Sequence, residues 1–365
     1  MKNLHPEEKV SANLENILSL SPFKMQHQMA TWYFTSKLRA LLVDDYLKYW
    51  ARNGFTEEHS VFLKSLCYND PTSRAAILKS IMKEGKKNDF NHASEALATI
   101  LSGPQTLSYQ YLHALPNSGY GQKMDAHEFR VILMMRLLIP FFPNSYLCPH
   151  EGCTHILDPF GYHFLSCGQK GNLMHQRHEI VARGLYDLAK AAGFSPQLNA
   201  PVQCLGFNEY GDTTKYRPAD VLIMGDEQPL ACVDVTVVSP LTKAKSTTAE
   251  GRQPGKLVTN AAASKHRKYD ELCTQHGKQF IPFACDVTGM IDSEACQLIK
   301  RIATKYADRQ GKPYSWGLSI CQGRISFAIQ HAISRQLLSL LQLAEECWGD
   351  SKIIGRHCFA TQAKQ

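Results

Sequence analysis

The sequence has no run approaching the ~20 uninterrupted apolar residues that a bilayer-crossing helix needs, so no membrane span is expected. Its opening, MKNLHPEEKVSANLENILSLSP, has no apolar stretch behind its lysine, which argues against a secretory leader. No segment repeats and no tract is of low complexity, so solenoid and linker architectures are set aside. There is also no nucleophile elbow and no Ser/His/Asp pattern, which makes a hydrolase with a covalent serine intermediate remote. Cysteine, by contrast, is plentiful. Twelve cysteines without a leader point to a reducing compartment and to metal binding rather than disulfides.

At 365 residues, 44% hydrophobic and 20% charged, the chain suits two globular domains, each able to bury a core. The net charge of +7 is unevenly spread. Residues 241–280 hold eight Lys/Arg against three acids, a local excess of five that accounts for most of the surplus. Such a window is either a solvated helix face or a polyanion-binding surface.

Residues 1–140 read as helical, with candidates at 25–54, 73–84 and 91–102. Asp125 is placed to cap AHEFRVILMMRLLI, which Pro140 stops. Residues 141–172 are rich in Pro and Gly and carry CPHEGC, then His163 and Cys167. Three thiolates and an imidazole within twenty residues match the tetrahedral donor set of structural zinc. The predicted ligands are Cys148, Cys153, His163 and Cys167, with His150 and His155 as competitors. Free cysteines are more often small core residues, but clustering in a loop-rich segment favours zinc. The other nine cysteines, including Cys204, Cys232 and Cys285, are assigned to the core or to no role.

Residues 173–310 alternate. QRHEIVARGLYDLAKAAG (176–193) has the apolar spacing of an amphipathic helix, ended by Gly193. APVQCLGF (200–207), ADVLIM (219–224), LACVDVTVV (230–238) and FIPFACDV (280–287) are β-type runs. Between the last two, 255–277 is helical. Helices at about 291–308 and 324–347 close the chain, with 311–365 expected as a helical extension.

YRPADVLIM and LACVDVTVV each carry a carboxylate inside an apolar run. A fold-back at GDEQP (225–229) brings Asp220 and Asp234 together. Two adjacent carboxylates repel unless a cation lies between them. Mg²⁺ or Mn²⁺ suits such a hard-oxygen site and would activate water against a phosphodiester. P-x-D followed by an acid on the next strand resembles the restriction-enzyme-like nuclease pattern, and by that resemblance Thr236 stands where a strand lysine would be expected. Lys265 and Lys268, three apart on the following helix, share a face from which an ammonium could fill that place. The alternative for both lysines is ordinary surface charge.

Pro218-x-Asp220 followed by Asp234, KHRKY at 265–269, RHE at 177–179 and the Cys/His cluster together resemble the C-terminal endonuclease of non-LTR retrotransposon reverse-transcriptase proteins. The resemblance covers about 125–290. It implies an α/β fold with a PD-(D/E)XK restriction-endonuclease-like core, preceded by a CCHC zinc knuckle and an all-helical N-terminal region. It implies that Asp220, Asp234, Lys265 and Lys268 form the catalytic set, with magnesium on the two aspartates. It also implies cleavage or nicking of duplex DNA that leaves a 3′-hydroxyl. Gln203 stands where the family often has an acid, and the Asp234–Lys265 spacing is wider than the pattern.

Arg177, His178, Arg217, Lys243 and Lys245 are the expected nucleic-acid contacts, by their position around that site. The expected partners are double-stranded DNA and either element RNA or a separate reverse transcriptase, in a nuclear, intracellular setting. With no polymerase domain in view, an excised or domesticated fragment is expected. The rival readings are a non-catalytic, zinc-dependent DNA-binding module and a branched-DNA resolvase.

Overall fold

A computed structural model describes residues 107, 110–113, 119, 122–136, 141–142, 145–169, 173–200, 219–224, 231–241 and 253–348. The helices expected at 25–54, 73–84 and 91–102, the strand at 201–207 with Gln203, and Arg217, Lys243 and Lys245 lie outside these residues. The fold is mixed α/β, with helices and two small sheets. Among the described residues, no helix is long and apolar enough to cross a membrane.

After a single helical turn, α1 (Gln110–His113), comes α2 (Ala126–Arg136). Asp125 caps α2 as expected. Its Oδ1 accepts from the His127 and Glu128 amides at 2.8 Å, and Glu128 Oε2 accepts from the Asp125 amide at 3.2 Å. This reciprocal box satisfies donors that the first helical turn cannot. The two-residue strands β1 (Tyr146–Leu147) and β2 (Ile156–Leu157) then pair antiparallel.

The next elements are α3 (Met174–Ala191), β3 (Ser195–Leu198), β4 (Val221–Met224), β5 (Ala231–Val238), α4 (Lys256–Gln275) and β6 (Gln279–Asp286). They follow the expected helix–three-strand–helix–strand order. The four strands form one sheet in the order β3-β4-β5-β6; β3/β4 and β4/β5 are antiparallel, and β5/β6 is parallel. The apolar run expected at 200–207 lies, but for Ala200, outside the described residues, and the sheet's first strand among them is SPQL. It lies at the sheet edge, where Pro196 has no ladder bond to forfeit and strong β-propensity is not required. Pro282, on the opposite edge strand, is tolerated for the same reason.

The alternation of β5 decides where its acid points. Val233 and Val235 face a large core shared with α3, α5 (Ser293–Gln310) and α6 (Tyr314–Trp348). Cys232 faces the other way, packing with Leu222, Phe280 and, from α4, Tyr269 and Cys273. Asp234 has the parity of Cys232, so it is on the α4 side.

The 35-residue α6 is longer than expected, and its apolar stripe Ile325, Ile329, Ile333, Leu337, Leu340 and Ala344 is wholly buried. Tyr162, Phe164, Leu185, Val233, Ile302 and Leu337 belong to one continuous core. Gly161 shows how close that packing is. Its φ of +72° favours glycine, and a Cβ there would lie 2.8 Å from Leu340 Cδ2.

Candidate functional site

Two groups of chemistry-bearing side chains stand out. The first is the loop segment at 148–167. The β1–β2 hairpin sets Cys148 and Cys153 at either end of a turn closed by Cys153 N–H donating to His150 O and Cys148 N–H donating to His155 O. A 3₁₀ turn, Phe164–Ser166, sets His163 at its start and Cys167 at its end. Asp158 ties the two halves, accepting backbone N–H bonds from Phe160, Tyr162 and His163 at 2.9, 3.2 and 3.0 Å. That role was not anticipated, although Asp-Pro followed by Gly161 is a recognisable turn signal.

Donor atoms of Cys148, Cys153, His163 and Cys167 all lie within 4.8 Å of one another. Cys153 Sγ is 3.4 Å from His163 Nε2 and 3.8 Å from Cys167 Sγ. A zinc tetrahedron with Zn–S of ~2.3 Å and Zn–N of ~2.05 Å has S···S edges of about 3.8 Å and S···N edges of about 3.6 Å. The set can therefore hold a metal ion such as zinc. His150 Nδ1 lies 3.6 Å from Cys167 and His155 Nδ1 3.8 Å from Cys153, so both stay close to the donors. Burial, and secondarily the neighbouring thiols, push the Cys148 thiol up to about 12. Burial, with His155 and His150 nearby, lowers His163 and keeps it neutral. A dication reverses the thiol shift by stabilising thiolates, so binding would release protons.

The second group is at the sheet. The β4/β5 register pairs Val221 with Val233, and Asp220, just before β4, donates its amide to Val233 O at 2.9 Å, which sets it beside Asp234. Asp220 Oδ2 accepts from the Val235 amide at 2.7 Å and from His178 Nε2 at 2.9 Å. Asp234, buried at 4% exposure, is ion-paired through Oδ2 to Lys265 Nζ at 2.6 Å. Burial first, and then the charge of Asp220, raises the Asp234 carboxyl to about 6; Lys265 and His178 act against that rise. Burial pulls His178 down, but the hydrogen bond and charge of Asp220, with Glu179 and Asp234, outweigh it and raise its pKa.

Lys265 thus stands at Asp234, with Thr236 two residues along the strand. Lys268 is exposed and holds its ammonium 4.7 Å from the Tyr269 ring centroid, while that of Lys265 is 5.9 Å from the same ring. Two expected phosphate contacts take other positions. Arg177 is 4% exposed and donates to Leu165 O at 2.8 Å, Gln336 Oε1 at 3.0 Å and Val237 O at 3.0 Å. Burial lowers its pKa to about 10. A guanidinium committed to three interior acceptors is not available to a phosphate, so Arg177 joins the Cys/His loop, β5 and α6 instead. His178 is turned inward onto Asp220.

The arrangement sets two anionic groups against one ammonium and one imidazole, with one oxygen of each aspartate committed. Their second oxygens are the atoms through which a cation would be held. The sequence matches no family model, no curated protein and no solved structure in comparisons with known proteins.

Proposed function

We propose that this chain is a metal-dependent endonuclease acting on duplex DNA, of the kind found behind the reverse transcriptases of non-LTR retrotransposons. The observation that carries the reading is Asp220 bonded to Val233 and Val235, the two residues flanking Asp234, with Lys265 reaching Asp234 from the next helix at 2.6 Å. Supporting it, the helix–three-strand–helix–strand order and the mixed sheet β3-β4-β5-β6 follow the plan of the restriction-endonuclease-like PD-(D/E)XK core. In this reading the ammonium of Lys265 does the work of the lysine missing at Thr236.

The donor chemistry fits a hard dication. Mg²⁺ or Mn²⁺ is ordinarily held by one or two carboxylates and water, and Asp220 and Asp234 offer two. When bound, such an ion supplies a lowered water pKa and charge stabilisation at phosphorus. The chain's own residues do the rest. His178 and the Val235 amide hold the Asp220 carboxylate in one orientation. Lys265 positions the water and offsets charge on the phosphoryl oxygens as it builds. Oxygen from water bonds to phosphorus, the bond to the 3′ oxygen breaks, and the products are a 3′-hydroxyl and a 5′-phosphate. The Cys/His loop, tied to β5 through Arg177, braces the sheet beside the site. Double-stranded DNA is the partner, and the nucleus is where it would be met.

Supercoiled plasmid incubated with the protein and Mg²⁺ or Mn²⁺ tests this. Nicked product is expected, with loss of about 100-fold or more in Asp220→Ala, Asp234→Ala and Lys265→Ala, the scale of removing a main electrostatic or metal-holding group. Activity in both aspartate variants equal to the parent would reject the site. Salt-dependent DNA binding with no cleavage under any divalent ion would replace it with a binding module.

A further inference from the structure

The first turns of α3 carry another donor set, which shares only His178 with the aspartate pair. His175, His178 and Glu179 are spaced i, i+3 and i+4 and so share one helix face. One donor atom from each lies within 4.8 Å of the others. His175 Nε2 is 4.0 Å from Glu179 Oε1, and His178 Nδ1 is 3.6 Å from the same oxygen. The two imidazoles are stacked, their planes 13° apart.

The orientation of His178 gives this cluster its meaning. Its Nε2 lies 2.9 Å from Asp220 Oδ2. An ionised carboxylate only accepts, so Nε2 carries the proton. In the neutral ring Nδ1 is then a lone pair aimed at an oxygen that is also an acceptor. That nitrogen is buried and has no hydrogen-bond partner. Two acceptors facing each other call for a cation between them, either a proton on Nδ1 or a metal ion. A proton would satisfy His178 and Glu179 alone. His175 adds a third donor directed at the same oxygen, which is what a metal needs and a proton does not. Moreover, a metal-bound imidazole commonly donates its other N–H to a carboxylate, the relation His178 has with Asp220.

We propose that His175, His178 and Glu179 form a surface site for a divalent transition metal, with Asp220 as the carboxylate behind His178. Two imidazoles and one carboxylate select ions such as Zn²⁺, Co²⁺ or Ni²⁺ over Mg²⁺ or Ca²⁺. Three donors from one helix leave the remaining coordination positions to water. Occupancy fixes the His178 ring and, through it, the Asp220 carboxylate. The site is therefore distinct from the hard-ion position between the aspartates and is linked to it by one hydrogen bond.

Metal binding by the full chain tests this without any reference to cleavage. The protein, with its Cys/His loop saturated by Zn²⁺, is titrated with Co²⁺ and followed by calorimetry and visible absorption. Thiolate-to-cobalt bands report exchange into the cysteine set; a His/Glu site gives none. One further Co²⁺ equivalent without those bands is expected, weakened about 10-fold or more in His175→Ala and in Glu179→Gln. Asp220→Asn weakens it less, because it removes only the support behind His178. His175 and Glu179 have 84% and 37% of their side chains exposed, so both variants should fold, which far-UV circular dichroism verifies. No equivalent beyond the cysteine set would mean that a proton fills the gap and would overturn the proposal. So would an extra equivalent that neither variant weakens. A chain lacking nuclease activity could still bind Co²⁺ here, so the two proposals fail separately.

Discussion

The Cys/His loop and the Asp220–Asp234 pair are both sites of converging donors, but they are built differently. The loop draws its four donors from one stretch, Cys148 to Cys167, shaped by local turns and by Asp158. The acid pair draws on four elements: His178 from α3, Asp220 before β4, Asp234 from β5 and Lys265 from α4. The loop presents thiols whose burial disfavours ionisation, and so it needs an ion for thiolates to form. The acid pair already has Lys265 and His178 as counter-charges. The loop should therefore fail when its metal is removed, whereas the acid pair should survive without one and respond to pH instead.

The largest expected effect follows from that contrast. Cys167→Ser, or chelation at neutral pH, should release one zinc equivalent and lower Tm by ~10 °C or more, because ion binding is part of the loop's folding free energy. Metal analysis alongside thermal unfolding checks it. An unchanged Tm would mean that the apolar residues around the loop hold it unaided, and the contrast would fall.

Arg177→Met tests whether the two sites are mechanically joined. The substitution leaves the buried carbonyls of Leu165 and Val237 without a donor, at a cost of about 3–5 kcal/mol. Urea unfolding should show that loss, while Arg183→Met at an exposed position on the same helix changes stability by less than ~0.5 kcal/mol. Near-native stability with a weaker salt dependence of DNA binding would instead return Arg177 to the phosphate-contact role its place in the sequence suggested.

How legible each site was follows from the same contrast. The cysteine set could be read because its donors are contiguous and their types are diagnostic. The aspartates could be read because strand parity and a short fold-back nearly determine their pairing, and Lys265 because a missing strand lysine prompts a search of the next helix. Arg177 was misread because its three acceptors are 12, 60 and 159 residues away, and no local pattern records them. The orientation of His178 is likewise a tertiary fact, with its partner 42 residues distant.

Next in size is the pH response of the acid pair. Asp234 titrates near about 6 in the fold, against 3.8 for an ordinary aspartate. The folded state holds that proton more tightly, so the resulting stability is full below about pH 4 and lost as pH rises through 6. At ~1.36 kcal/mol per unit the loss approaches about 3 kcal/mol. The raised pKa of His178 gives a slope of the same sign, lost as pH rises through its folded value. Asp234→Asn cannot ionise, so its Tm relative to the parent's should climb from about pH 4 to about pH 7 and level off above that. A pH-independent difference would mean that Lys265 already compensates the buried charge in full.

The smallest effect concerns what holds Lys265 in place. Its neighbour His266 bridges Asp270 Oδ2 at 3.1 Å and Glu294 Oε1 at 2.6 Å, joining α4 to the start of α5. Burial lowers the His266 pKa, but hydrogen bonds and charge from Glu294 and Asp270 outweigh it and raise it overall. Its contribution is therefore present below the ordinary histidine pKa and disappears as pH rises through the folded value. Because both partners are partly exposed, His266→Ala should cost no more than about 1 kcal/mol near pH 5 and almost nothing near pH 9. Thermal scans at the two pH values check this. A cost that persists near pH 9 would show that the ring acts by packing edge-on against Phe280, 5.6 Å between centroids, rather than through its charge. Either result says whether the last part of the acid pair, the lysine on α4, is kept in register by electrostatics that titrate or by the apolar layer beneath it.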